Sequence, residues 1–96
     1  MAAYILAEIE ITNPEGYSEY SRQVLPTIAK YGGRFLVRGG ASEALEGEWP
    51  RVRRVLLEFP TAEAARQWWA SPDYEKPKAM RQAASKGRLL LMEGAA

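Results

Sequence analysis

Apolar and polar residues alternate from Tyr4 to Ile11, with Ile5, Ala7, Ile9 and Ile11 on one side and Tyr4, Leu6, Glu8 and Glu10 on the other. Alternation of this kind predicts a half-buried strand. The period then lengthens. Tyr17, Tyr20, Val24, Ile28 and Tyr31 recur at intervals of three and four, which is one face of a helix. Asn13-Pro14-Glu15 supplies its start, with Asn13 as N-cap, Pro14 at the first helical position and Glu15 near the positive dipole end. Pro26 lies inside this stretch and has no amide proton. A kink, or a break into two pieces, is therefore expected near Arg22–Pro26. Gly32-Gly33 ends the helix, where a left-handed residue is needed.

Arg34 to Val37 predicts a second strand. Gly39-Gly40 predicts a bulge or bend, with Ser42 to Glu46 continuing the strand beyond it and Glu46 to Pro50 forming a loop. Arg53 to Phe59 alternates again, with Val55, Leu57 and Phe59 on one face against Arg54, Leu56 and Glu58 on the other. Pro60-Thr61 opens a helix whose buried side is Ala65, Trp68 and Trp69. Ser71 and Pro72 read as the cap and first residue of another helical segment. Pro77 disturbs that segment, so its regular part is expected from Pro77 to about Ser85, with Gly87 as the stop. Arg88 to Glu93 is the fourth strand.

The order β-α-β-β-α-β is the ferredoxin-like α+β arrangement. Right-handed crossovers place the strands in the order 4-1-3-2, antiparallel throughout, with the helices on one face. That face takes the cleaner apolar set: Ile5, Ala7, Ile9, Phe35, Val37, Val55, Leu57, Phe59, Leu89 and Leu91. The other carries Tyr4, Leu6, Glu8, Leu36, Arg38, Arg54, Leu56, Glu58, Leu90 and Met92. Too apolar for water and too charged for an ordinary core, it predicts an interface.

Composition narrows the chemistry. The chain has 96 residues, the size of one small domain, and buries only about 60–65 % of its unfolded surface, so a partner subunit would help its stability. A net charge of +1 gives no reason to invoke nucleic acid or an anionic membrane. No apolar run approaches the ~20 residues of a membrane span, and no basic segment precedes the first strand, so no signal peptide is expected. Absence of cysteine fits a reducing cytoplasm. With neither His nor Cys, a cysteine nucleophile, a Ser-His-Asp triad and a His- or Cys-based zinc site are excluded within this chain. Haem ligation through His or Cys is excluded with them. Acid–base work falls to Glu, Asp73, Tyr, Lys or a bound cofactor.

These segments together resemble the family known as domain of unknown function 1330, over roughly Ala3 to Gly94. The resemblance rests on the Tyr4–Ile11 strand, Asn13-Pro14-Glu15, Pro26-Thr27-Ile28, Tyr31-Gly32-Gly33 and Arg34-Phe35-Leu36-Val37-Arg38-Gly39-Gly40. It rests also on Leu45-Glu46-Gly47 with Trp49, Glu58-Phe59-Pro60 and Ser71-Pro72-Asp73-Tyr74. It implies one domain over residues 1–96, of the dimeric α+β barrel superfamily, in which two four-stranded sheets face each other. That superfamily includes cofactor-free monooxygenases, muconolactone isomerase and haem-dependent chlorite dismutases. Trp69 stands where the family commonly has Tyr, and Pro77 comes early after Tyr74; both border the expected cavity.

Two sets of residues are candidates for function. Glu8, Arg38, Arg54 and Glu58 either form a polar site, in which an arginine pair clamps a carboxylate, or pair across strands as Glu8–Arg54 and Arg38–Glu58 at a dimer face. Tyr17, Tyr20, Arg38, Trp68, Trp69 and Tyr74 are the candidate ligand-binding set. Plain packing competes for the aromatics, and Trp68 and Trp69, about 100° apart on a helix, cannot face one spot. Trp49 and Tyr31 belong to the same aromatic inventory. Glu43, Glu46 and Glu48 match no compact cation loop and read as a solvated turn. The Gly-Gly pairs are not a dinucleotide fingerprint. The expectation is a cytoplasmic homodimer that binds a small organic molecule between helices and sheet, with isomerisation and cofactor-free oxygenation as the candidate reactions and with no cofactor, metal, nucleic acid or membrane. The alternative is a non-catalytic dimerisation or sensing module.

Overall fold

The structure, a computed structural model, describes residues 1–95. Along the chain run β1 (Ala3–Ile11), α1 (Pro14–Lys30), β2 (Arg34–Arg38), β3 (Arg53–Phe59), α2 (Ala62–Trp69), α3 (Pro72–Ala84) and β4 (Ser85–Glu93). The sheet order is β2-β3-β1-β4, all antiparallel, which is the expected order read from the other edge. The chain therefore has the ferredoxin-like α+β fold. Register preserves the alternation across the centre of the sheet. Ile5 stands opposite Leu57 and Leu91, whereas Leu6 stands opposite Leu56 and Leu90. The first set faces the helices, where Ile5, Ile9, Val55, Leu57 and Phe59 pack with Tyr17, Val24, Ile28 and Trp68. No helix is long and apolar enough to cross a membrane among the described residues.

Helix ends follow local chemistry. Asn13 Oδ1 accepts from the Gly16 amide at 3.2 Å, and Thr61 Oγ1 from the Ala64 amide at 3.0 Å. At the end of α1, Gly32 takes φ +80°. Its amide donates to the Ala29 carbonyl, and that of Gly33 to the Ile28 carbonyl at 3.0 Å, closing a Schellman motif.

Several boundaries differ from expectation. Helix α1 is continuous through Pro26, because Tyr20, Val24 and Ile28 on both sides of it are buried on one sheet face. That burial outweighs the ~3 kcal/mol cost of an internal proline. Helix α3 starts at Pro72, not Pro77. Ser71 secures its first turn, accepting from the Tyr74 amide at 3.2 Å and donating to the Trp68 carbonyl at 2.7 Å. Gly87 does not stop a helix. It lies within β4 opposite Ile9, where an added Cβ would stand 2.7 Å from the Glu8 carbonyl oxygen and 2.7 Å from Ile9 Cδ1. Residues 42–46 form no strand. Gly39, at φ +71°, donates to the Arg54 carbonyl at 2.9 Å as β2 ends.

The most consequential difference lies within β2. Phe35 pairs with Leu57, but Val37 pairs with Leu56 and Arg38 with Val55. The extra residue is Leu36, so the expected irregularity sits there and not at Gly39-Gly40. A bulge reverses the facing of every residue beyond it. Val37 therefore joins the outer face and Arg38 turns towards the helices, the reverse of the expected assignment.

Candidate functional site

The helix-facing side of the sheet, α1, α3 and Trp68 of α2 enclose a cavity of about 30 Å³, room for about two waters. Its walls are largely aliphatic and aromatic. Trp68, 1 % exposed, packs on Tyr74 with ring centroids 4.1 Å apart and on Phe59 at 5.5 Å. Its indole N–H donates to Thr27 Oγ1 at 3.0 Å, and that hydroxyl donates to the Val24 carbonyl at 2.6 Å. The Tyr17 and Tyr20 rings lie 5.3 Å apart along α1. Three polar groups lie close together within the cavity. The Tyr20 and Tyr74 hydroxyls are 3.3 Å apart, and Arg81 Nε donates to Tyr74 at 3.3 Å. Burial, reinforced by the neighbouring Tyr74, pushes the Tyr20 phenol far above its usual range. Tyr20 is thus a neutral hydroxyl at any working pH, fit to donate a hydrogen bond and unfit to be a base.

Five of the six residues in the candidate ligand set, Tyr17, Tyr20, Arg38, Trp68 and Tyr74, line this cavity. Trp69 does not. It is 45 % exposed and lies under the Lys78 ammonium, 3.9 Å from the ring centroid, so the expected buried side of α2 loses one member. Trp49 is also exposed, with its N–H on the Glu46 carbonyl at 2.9 Å and the Arg54 guanidinium above it. Tyr31 reaches Asp73 at 3.2 Å, beside Lys30. Glu43, Glu46 and Glu48 are exposed, and no group of acidic residues suited to a metal ion occurs among the described residues. Of the charged sheet set, Glu8 and Arg54 meet at 3.0 Å as expected. Arg38 does not meet Glu58. The bulge carries it to the helix side, and Arg34 takes its place at 2.7 Å from Glu58.

Residues 2–95 match the family described as domain of unknown function (DUF1330). The chain belongs to that family. No curated protein matches it. Among solved structures, a protein of unknown function from Rhodopseudomonas palustris (RPA0582) is similar with a TM-score of 0.80 and 21 % identity, covering 99 % of this chain and 83 % of that one. SnoaB, a cofactor-independent oxygenase from Streptomyces nogalater, gives 0.67 and 13 %, with 99 % and 94 % covered. A dimeric ferredoxin-like protein of unknown function from Jannaschia sp. CCS1 gives 0.67 and 13 %, with 98 % and 100 % covered. At these identities the likeness is one of fold.

In this DUF1330 chain the cavity also holds residues that the sequence reading passed over. Arg53 stands opposite Ile9 on the helix-facing side, its guanidinium 5.6 Å from the Tyr17 ring centroid. Its parity with Val55 and Leu57 was a usable signal. Arg81, 6 % exposed, lies two helical turns from Tyr74, and that spacing also put it on the same side.

The outer face of the sheet is a different environment. Glu8 receives Arg54 and also Arg88, the latter at 2.7 Å. These hydrogen bonds, Arg88 first, hold the Glu8 carboxyl below its ordinary 4.5; Arg34 does the same for Glu58, and Lys30 for Asp73. A carboxyl depressed in the folded state contributes stability above its unfolded pKa, and that contribution is lost as pH falls through the folded one. Stability should therefore be flat from pH 7 to about 5 and decline below about 4.5. Glu8→Gln should be less stable at pH 7 and show a shallower decline in acid, in urea melts across this range. A parallel decline in both proteins would show that the pair contributes nothing.

Proposed function

We propose that this chain forms a homodimer through the outer face of its sheet and binds a small organic molecule in the cavity between helices and sheet. The observation that carries the ligand reading is the Tyr20–Tyr74 hydroxyl pair, 3.3 Å apart inside an enclosure whose walls are largely apolar. Pockets of this make-up orient a ligand with few polar groups and hold it by apolar contact. The volume admits only a small group, so a larger ligand enters with movement of the walls. Dimerisation is supported by the half-exposed Leu36, Val37, Leu90 and Met92 on the outer face, and by the Jannaschia neighbour, described as dimeric. On that face Glu8 and Glu58 are paired, which supports an assembly role there in preference to a binding role. The likeness to SnoaB makes cofactor-free oxygenation the reaction class to assay first, ahead of isomerisation.

The test uses Trp68 as the reporter. With Trp49 and Trp69 replaced by Phe, emission comes from Trp68 alone. Aromatic and short acyl compounds, both acids and neutral amides, are titrated into this protein. At least one should quench or shift the emission saturably, and Tyr20→Phe should weaken that response several-fold. No saturable response from any compound would overturn the ligand reading and leave the dimerisation module in its place.

A further inference from the structure

Three arginines, Arg38, Arg53 and Arg81, line the cavity, and no acidic residue does. None of the five ion pairs among the described residues involves any of them. Buried charges are ordinarily paired, because desolvating an uncompensated ion is costly. Arg81 is buried, yet its side chain donates only to the Tyr74 hydroxyl. Arg53 has its Nε buried without any partner, while its Nη2 reaches the Arg38 carbonyl at 3.4 Å. Arg38, the exposed member, donates to the Ser21 carbonyl at 3.1 Å and stacks on Phe35. The hydroxyls add to the surplus of donors. Tyr74 accepts from Arg81, and a single proton joins Tyr74 to Tyr20. Whichever way that proton points, the other phenolic proton has no protein partner.

We infer that the cavity is an anion site whose ligand is a small organic acid. Its carboxylate is held by Arg81, Arg53 and the free phenolic proton of the Tyr20–Tyr74 pair, with Arg38 at the exposed end. This rests on the ligand reading above and names its ligand class. A carboxylate accepts hydrogen bonds and donates none, so it complements a cluster that consists of donors. Its size suits the space, since a carboxylate group takes the place of about two waters. The aromatic and aliphatic walls suit an apolar body behind the acid group. Gly39 belongs to the same arrangement, because an added Cβ there would stand 2.1 Å from the Arg53 guanidinium.

Matched acid and amide pairs decide the question on the intact protein: acetate with acetamide, benzoate with benzamide, and phosphate and chloride as inorganic anions. Isothermal titration should show at least one acid binding roughly tenfold or more tighter than its amide. Arg81→Gln should abolish that preference while raising the melting temperature of the ligand-free protein, since it removes a buried unpaired cation. Equal affinity for an acid and its amide would overturn this inference and leave the ligand reading standing. Binding of phosphate or chloride in preference to every acid would overturn it in favour of an inorganic anion. No binding by acids or amides would sink both. The comparison within the unaltered protein decides the matter even if Arg81→Gln fails to fold, and a folded Arg81→Gln that keeps the preference overturns the assignment.

Discussion

Trp68→Ala is expected to destabilise the fold by about 3–5 kcal/mol, the usual cost of truncating a buried tryptophan. Trp68 is nearly inaccessible and joins three elements: its ring packs on Phe59 of β3 and Tyr74 of α3, and its N–H reaches Thr27 of α1. Its loss opens space beside an existing cavity, so the surroundings gain freedom instead of collapsing onto the gap. Against a total of about 5–15 kcal/mol for a domain of ordinary stability, this is a large fraction. Urea denaturation should show the midpoint falling with little change in slope. A loss below about 1 kcal/mol would mean that the ring is not a packing centre. This effect also makes the alanine variant a poor probe of binding, because a weakened ligand response would be inseparable from partial unfolding. Tyr20→Phe is the cleaner choice, since it removes one hydroxyl and keeps the ring.

Leu56→Asp is expected to convert the proposed dimer to monomer. Leu56 lies on the outer face opposite Leu6, with Val37 paired to it from β2 and Leu90 opposite Leu6 on the other side. A carboxylate introduced there would be buried against the partner without a cation of its own, at a cost of about 3–5 kcal/mol and about three decades in Kd. Light scattering at micromolar concentration should give twice the chain mass for the parent protein and the single-chain mass for the variant. Leu45→Asp is the control: Leu45 is 87 % exposed in the loop, so the change should alter neither mass nor stability. A parent protein that is already monomeric at that concentration removes the dimer reading altogether.

The strands of the sheet centre were legible because alternation and burial coincide there. Ile5, Ile9, Val55, Leu57 and Phe59 are buried on the predicted side. The caps at Asn13 and Ser71 were legible because their amide or hydroxyl groups act within three residues of sequence. Pro26 and Pro77 misled because local propensity carries no information about the packed face that overrides it. Gly87 misled for a related reason. A glycine demanded by close backbone approach looks in sequence like one that ends a helix. The aromatic part of the cavity followed from the helical period of Tyr17 and Tyr20. Of its cationic part only Arg38 was among the candidates; Arg53 and Arg81 were not, because arginines are habitually assigned to solvent. Both Arg53 and Arg81 keep the parity or the turn of a neighbour that is buried.

The single extra residue in β2 has a consequence for comparing this chain with its relatives. An alignment that runs from Phe35 to Arg38 without a gap shifts the frame of the strand end by one against any homologue that lacks the extra residue. It then matches Arg38 to residues on the opposite side of the sheet in homologues that lack the insertion. Two relatives with an arginine in the same aligned column can thus present it to different surroundings, and two with arginines one column apart can present it to the same one. Equivalence at this position is set by which β3 residue stands opposite, Val55 here, and column identity is no guide to it.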